Sequence, residues 1–412
     1  MRKIIYICFL FLCGCAATMQ SHLNDVQNNL SNGNFEQNVS SKNISDQNNL
    51  ELLISATALF HENKFQDSDS AFEEFNKRNI DETSSSILRE SANLLFGGNV
   101  NSYKPYMMDS LFVSYYQIWD LLAMSDWSNA RVVINQSYER QKNMSIEYKK
   151  LIEKNKDKIT ENIAPEIQEK INKNKSDWVA FTDIMNPALM YLSGIYFLND
   201  GDFENAEIYL KRANGMMPDN EFIKTDLEFA QKHIKPKNIT WVFTETGFAP
   251  RLREENFGIF LPSIGMVYFT VSEPYFNHEF YSPKNSEMLA NVDAMFMTEY
   301  NEYRTNEILR TYASTVSKAA LQGVLYNSHN NSASLLGVLS TIYTISSSNA
   351  EVRTWATLPK YIYVSRIDKN KTNLNEIKLN DTIKSEIKSG GNNLVYIRAT
   401  NKITDEKIIK LK

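Results

Sequence analysis

The stretch from Pro187 to Asn220 restricts the possible folds of this chain more than any other. Gly194 lies in a first helical segment and Ala206 in a second, and these small residues allow the two helices to cross closely. Gly201-Asp202-Phe203 interrupts the helical pattern as a turn, and Pro218 ends it because proline cannot continue a helix. The sequence therefore predicts a hairpin of two antiparallel helices.

Two weaker copies of this pattern precede it, over Leu52–Arg78 and Ser114–Gln141. Each has a short turn between two helical segments, at Asn63-Lys64-Phe65 and Ser125-Asp126-Trp127. The three units resemble the tetratricopeptide repeat at its small, aromatic and proline positions, although Met190 replaces the usual first-helix tryptophan. The resemblance implies a right-handed solenoid of stacked hairpins. A generic helical bundle is the alternative.

In a solenoid of this kind, the first helix of each hairpin lines a concave face, where a peptide or helix of a partner can bind. Tyr191, Ile195 and Phe197 of the third hairpin are candidates to line or support such a groove. Aromatic residues at these spacings also pack inside a repeat, so both roles remain open. We expect the helical domain to cover residues 50–235.

Residues 146–174 differ from the repeats because they are rich in lysine and glutamate. Isoleucine recurs at every fourth position from Ile159 to Ile171, which predicts one apolar stripe on a charged helix. Pro165 predicts a kink or a break in that helix. The segment is either an insertion packed on the repeats or an arm that binds a partner.

The pattern changes after Pro236 to short segments rich in aromatic and β-branched residues, which are typical of strands. The predicted strands are Trp241–Phe243, Met266–Val271, Tyr361–Ile367, Leu394–Arg398 and Ile408–Leu411. Residues 292–322 have a helical pattern, and residues 335–345 are apolar. We expect a smaller mixed domain over 236–412, so the chain is predicted to be α+β: a helical solenoid followed by a sheet with helices on one face.

The N-terminus has the features of a secretory signal. Arg2 and Lys3 precede an apolar run from Ile4 to Leu12, which is about half the length needed to span a bilayer. The following residues, Leu12-Cys13-Gly14-Cys15, resemble the lipobox of bacterial lipoproteins. That resemblance implies a signal peptide over 1–14 and a diacylglyceryl group on the thiol of Cys15.

The three cysteines of the chain, Cys8, Cys13 and Cys15, all lie in this region. A chain cut before Cys15 keeps no free thiol, which excludes disulfides and cysteine-ligated metals. Ala16 stands where an aspartate retains many lipoproteins at the inner membrane, so the resemblance favours the outer membrane. Residues 15–49 are dominated by Asn, Ser, Gln and Asp, a composition that predicts a flexible tether.

Composition and motifs exclude several classes of function. Without residues 1–14 the chain has 42 basic and 49 acidic side chains, a balance that argues against a nucleic-acid partner. No two of the five histidines have metal-ligand spacing on a helix, and no HExxH, G-x-S-x-G or phosphate-binding glycine loop is present. We therefore expect neither catalysis nor a cofactor. The charged residues Glu245, Arg251 and Arg253–Glu255 are predicted to form a solvated loop.

Two sites match the acidic sequon of bacterial periplasmic N-glycosylation, at Asn38 and Asn370. Asn38 lies in the predicted tether, where a modifying enzyme could reach it. Both asparagines are therefore candidate glycosylation sites.

Several segments are similar to a family of uncharacterised proteobacterial lipoproteins with repeat-like helices. They are Trp241–Pro250, Arg353–Trp355 with Leu358-Pro359, and Tyr115–Arg131. Some members of that family occur beside lipoproteins that activate penicillin-binding proteins. The resemblance implies an outer-membrane lipoprotein facing the periplasm, which binds an envelope protein as a scaffold in envelope assembly. A surface adhesin and a cell-wall enzyme are the alternatives.

Overall fold

The computed structural model of the chain describes residues 14–79, 103, 105–159, 169, 185–261, 265–305, 308, 351–371, 381–388 and 390–411. These residues form an α+β fold, with a helical half followed by a five-stranded sheet and a separate two-stranded sheet. The predicted α+β class and the order of helices before sheet are confirmed. Residues 309–350, which include the apolar stretch 335–345, and most of the isoleucine stripe after Ile159 lie outside the described residues.

The described helices of the helical half include the three predicted hairpins. They are α2 (Asn49–His61) with α3 (Phe65–Asn79), α4 (Met107–Ala123) with α5 (Trp127–Ile159), and α6 (Pro187–Asp200) with α7 (Phe203–Met216). A further helix, α8 (Glu221–Gln231), packs on α7. Helix α4 contacts both α2 and α6, so the first helices of the hairpins are neighbours.

Local signals in the sequence explain the bounds of the third hairpin. The side chain of Asn186 caps α6 by accepting hydrogen bonds from the backbone N–H groups of residues 188 and 189. Gly201 ends the helix with φ of 84°, a left-handed conformation that favours glycine. Gly194 marks the close crossing of α6 and α7, since a Cβ there would lie 2.6 Å from Cγ of Leu210.

The larger sheet has the strand order β4-β5-β1-β6-β7. Its strands are β1 (Ile239–Thr246), β4 (Glu287–Asn291), β5 (Tyr361–Asp368), β6 (Asn393–Ala399) and β7 (Ile403–Lys410). The central strand β1 pairs antiparallel with β5 and parallel with β6, and β7 pairs antiparallel with β6. Among the described strands, β4 and β7 are therefore the two edges.

Between β1 and β4 the chain forms a hairpin of β2 (Arg251–Leu261) and β3 (Gly265–Tyr275), and after β4 it forms helix α9 over residues 292–305. The predicted solvated loop of charged residues is wrong. Glu245 is buried in β1, and Arg251 to Glu255 lie in β2. Arg251 pairs with Tyr275 and Arg253 with Glu273 of β3, so these charged residues belong to a paired strand.

The two faces of the sheet pack against different helices. On the outer face, Val242, Val395 and Ile397 cluster with Ile383 and Ile387 of α10 (Asp381–Lys388). The inner face packs on the first helices of the hairpins, as shown by the ring contacts Phe60–Tyr396 (4.9 Å between centroids), Trp119–Phe243 (5.4 Å) and Tyr191–Phe243 (5.9 Å). One hydrophobic core therefore joins the described helices of the helical half to the larger sheet.

The N-terminal segment is part of this folded body, so the prediction of a flexible tether over residues 15–49 is wrong. Helix α1 (Gly14–Asn32) is followed by two short 3-10 helices, Phe35–Asn38 and Ile44–Asp46. Leu23, Val26 and Leu30 are buried, and the side chain of Gln27 donates a hydrogen bond to the carbonyl of Ala356. The polar composition hid a narrow apolar stripe at helical spacing.

No helix among the described residues combines the length and the apolar character needed to cross a membrane.

The docking of α1 predicts that Leu23→Ala destabilises the protein. Leu23 is 1% exposed, so its truncation should lower the free energy of unfolding by about 2–5 kcal/mol. Asn28→Ala, at an exposed position of the same helix, is the control and should change stability by less than about 0.5 kcal/mol. Urea unfolding monitored by tryptophan fluorescence measures both. If Leu23→Ala and Asn28→Ala both changed the free energy of unfolding by a similarly small amount, α1 would be a tether that does not pack on the folded body.

Candidate functional site

The predicted partner groove on α6 does not exist as an open surface. Tyr191, Ile195 and Phe197 are completely buried. The hydroxyl of Tyr191 donates to Asp226 at 2.6 Å, and the ring of Phe197 stacks on Tyr209. The prediction is wrong because α6 is apolar around its whole circumference, and such a helix must be covered on every side. The sheet of the chain itself covers the side that a partner was expected to occupy.

The modification sites have different surroundings. Cys15 is the second residue of α1, and its lipidation stays a prediction. Asn38 is buried, where its amide donates to the carbonyl of Val26 and accepts from Asn29. Its predicted accessibility is therefore wrong for the folded chain, because a glycan would remove these hydrogen bonds. Asn370 lies exposed in the turn after β5 and remains a candidate.

A row of three charged residues crosses the inner face of the sheet. Glu245, Arg398 and Asp405 are direct neighbours on β1, β6 and β7, so their charges alternate in sign. Tyr116 and Tyr396 each donate a hydroxyl hydrogen bond of 2.8 Å to Oε2 of Glu245. Burial raises the pKa of Glu245 to about 7. This row faces α2 and α4 and lies wholly inside the protein.

The row continues to a histidine of the helical half. Nδ1 of His61 lies 2.9 Å from Oδ2 of Asp405, and Nζ of Lys407 lies 2.7 Å from the same oxygen. Burial lowers the pKa of His61 to about 4, so the imidazole is neutral at pH 7 and its Nδ1–H donates to the carboxylate. Lys407 also donates to the backbone carbonyl of His61 and to Asn63. These bonds connect the end of α2 to β7.

The pair of His61 and Asp405 has the residue types of a general base, but its surroundings are structural. The ring of Phe35 stacks on His61 with 4.8 Å between centroids, and the imidazole is fully buried. A general base must come within hydrogen-bond reach of a substrate proton, and this ring is covered instead. Across the described parts of the chain, no group of three or more His, Cys, Asp or Glu side chains could hold a metal ion.

A pocket of about 430 Å³ lies where β7 meets the helical half. Four consecutive strand residues line one side of it, Lys407 to Lys410. The opposite side consists of Asn63 and Phe65 at the α2–α3 turn and of Leu122, Ala123 and Ser125 at the α4–α5 turn. Side chains of consecutive strand residues point to opposite faces, so a pocket lined by all four must border the backbone edge of β7.

The hydrogen bonding of β7 shows which backbone groups point into that edge. The N–H of Leu411 donates to the carbonyl of Asn392 at 2.9 Å, in register with the β6–β7 ladder. Hydrogen-bonded pairs alternate along an antiparallel ladder, so residues 405, 407 and 409 bond to β6. The N–H and C=O groups of Ile408 and Lys410 therefore point away from β6. Within the described residues, neither makes a backbone bond to another segment.

The opposite edge of the sheet is covered. Strand β4 is short and irregular between Met288 and Ala290. The side chain of Asn220 donates to the carbonyl of Met288, and the N–H of Glu221 donates to Glu287. The start of α8 thus protects β4, as expected of an edge that must not pair with other chains. The second half of β7 has no such cover from the described chain.

Comparison of the chain with protein-family models, with curated proteins and with solved structures finds no match to any of them.

The sequence indicates neither the pocket nor the edge. It predicts a strand only over Ile408–Leu411, without a position in the sheet. The alternation of Asp405, Lys407 and Ile409 on one face is a signal of strand structure. No local signal says that a strand lies at an edge, since that depends on the pairing of distant segments.

The buried carboxyl of Glu245 predicts a pH-dependent difference between the wild type and Glu245→Gln. Because the folded-state pKa is raised, its stabilising contribution is complete below about pH 4.5 and is lost as the pH rises through about 7. The neutral amide of the variant does not titrate in this range. The free energy of unfolding of Glu245→Gln, relative to that of the wild type, should therefore increase by about 1–3 kcal/mol between pH 4.5 and pH 8.

Thermal unfolding across that pH range measures the difference. Glu139→Gln, on the exposed side of α5, is the control and should run parallel to the wild type. A difference in stability between Glu245→Gln and the wild type that stays constant across this pH range would contradict the raised pKa of Glu245.

Proposed function

We propose that this protein is an outer-membrane lipoprotein that faces the periplasm and acts as a protein–protein interaction scaffold in cell-envelope assembly. The lipobox-like residues Leu12 to Cys15, after a basic and then an apolar segment, support the lipid anchor. The observation that carries the interaction is the edge of β7, which borders a pocket instead of another part of the described chain. An exposed backbone edge favours association with a further polypeptide.

The position of α1 adds to the anchoring part of the proposal. Met19, four residues after Cys15, already packs partly buried against the core, and Leu23 is fully buried. At a rise of about 1.5 Å per residue, Cys15 lies roughly 6 Å along the helix from the first of these contacts. A lipid on Cys15 would therefore hold the body close to the membrane surface. The scaffold would act there, without the reach of a long tether.

The tetratricopeptide-like hairpins have a supporting role in this proposal. Their first helices are buried beneath the sheet and cannot present a concave groove to a partner. Their turns, however, form one wall of the pocket beside β7. We infer that the helical stack serves as the frame that positions the edge strand.

The anchor is tested by metabolic labelling with radioactive palmitate in a bacterium that processes lipoproteins. The wild type should incorporate label, and Cys15→Ser should incorporate none and accumulate as the uncleaved precursor. Cys13→Ser is the matched control, because it changes a neighbouring cysteine and keeps the acceptor thiol. Label on Cys15→Ser equal to that on the wild type would exclude Cys15 as the lipidated residue.

The periplasmic orientation predicts protection from protease added to intact cells. The full-length chain should resist proteinase K on whole cells and be degraded once the outer membrane is permeabilised. Immunoblotting of both samples is the readout, with a known periplasmic protein as the control for membrane integrity. Degradation on intact cells would contradict the periplasmic orientation and support the adhesin alternative.

A further inference from the structure

We propose that the outer edge of β7 binds an extended segment of a partner protein, which adds to the sheet as a sixth strand. The inference rests on the proposed scaffold function and deepens it, because it names the site and the kind of partner. The partner is recognised by its backbone, by an apolar side chain and by a carboxylate. Three observations support this recognition: the hydrogen-bond pattern of β7, the pocket at its edge and the local charge.

The first step is the geometry of the backbone. The outward groups of Ile408 and Lys410 repeat every second residue, about 6.6–6.8 Å apart along the strand. Another strand offers donors and acceptors with the same repeat, which is the basis of peptide recognition by strand addition. Helical segments use their backbone groups internally and cannot meet this pattern. The edge therefore selects an extended polypeptide.

The second step is the room beside the edge. The pocket separates β7 from the turns of the first two hairpins, and those turns contribute Phe65, Leu122 and Ala123. A side chain of an added strand that points to the inner face of the sheet would meet these apolar residues. The start of β7 is less open, because Gly33 at the end of α1 lies near the carbonyl of Thr404. The site thus suits a short segment that pairs with the second half of the strand.

The third step is charge. Lys410 is exposed at the end of β7 and pairs with Asn393 at the start of β6. The Nζ of Lys369 donates to the carbonyl of Gly391, two residues before Asn393, so two positive charges lie at this end of the sheet. A carboxylate on the added segment would be attracted to them. Lys407 is not part of this positive region, because it lies inside the protein against Asp405. The preferred partner segment carries Asp or Glu near its end at Lys410.

The test is the selection of peptides on the purified mature protein from a displayed library of random twelve-residue peptides. Selected peptides should alternate apolar with other residues and contain an acidic residue. Lys410→Pro removes the outward N–H and adds a ring at the edge, while Lys410→Ala removes the charge and keeps the N–H. We expect binding to Lys410→Pro to fall about tenfold or more and binding to Lys410→Ala to fall about threefold.

Proline is tolerated on an edge strand where its nitrogen faces away from the neighbouring strand. Lys410→Pro should therefore keep the fold, which circular dichroism and thermal unfolding check. A second measurement uses the wild-type protein and a selected peptide with methyl groups on alternate backbone nitrogens. One of the two alternating methylation patterns should abolish binding, and the unmethylated peptide should slow amide hydrogen exchange at Ile408 and Lys410.

Three results would overturn the proposal. The library yields no peptide, or the selected peptides bind Lys410→Pro as tightly as the wild type, or Lys410→Ala loses as much as Lys410→Pro. The last result would mean recognition of a charge without the backbone edge. Palmitate labelling is independent of these outcomes. A labelled protein that binds no peptide refutes strand addition alone, and an unlabelled protein that binds peptides refutes only the anchor.

Discussion

The first helices of the three hairpins are rich in apolar residues and are buried on nearly all sides, and the architecture follows from the need to cover them. Helices α2, α4 and α6 already contact the second helices of the hairpins on one side. The inner face of the sheet covers the other side, through aromatic residues such as Phe243 and Tyr396. Separating the two halves would expose this surface to water, at a cost that scales with the apolar area. The helical stack and the sheet are thus parts of one core.

Polar groups inside this interface determine how the sheet lies on the helices. Glu245, Arg398 and Asp405 occupy one row of the inner face, and His61 of α2 donates to Asp405. A shift of one residue in any of these strands would turn its charge toward the apolar α10 side. Buried charges tolerate little displacement because an unpaired charge in the interior costs several kcal/mol. The row of charges therefore favours one strand register over the others that apolar contacts alone would allow.

Covering the first helices has a consequence for function. The concave surface that a stack of helical hairpins would offer to a partner is filled by the sheet, so binding must use another part of the molecule. Among the described residues, the second half of β7 combines unshared backbone groups with a neighbouring pocket. The docking of α1 beside the start of the same strand brings the proposed membrane anchor and the proposed binding edge onto one folded body.

The sequence alone determined what depends on residues close together in the chain. Small residues, short turns and a terminal proline located the three hairpins, aromatic and β-branched content located most strands of the larger sheet, and the residues before Cys15 predicted the anchor. The tertiary structure decided the rest: the covered faces of Tyr191 and Phe197, the docking of α1, and the edge position of β7. The parallel pairing of β1 with β6 joins segments about 150 residues apart, and no local pattern specifies such a partner. Whether an apolar side chain lines a groove or fills a core depends on that pairing, because the same residue type suits both places.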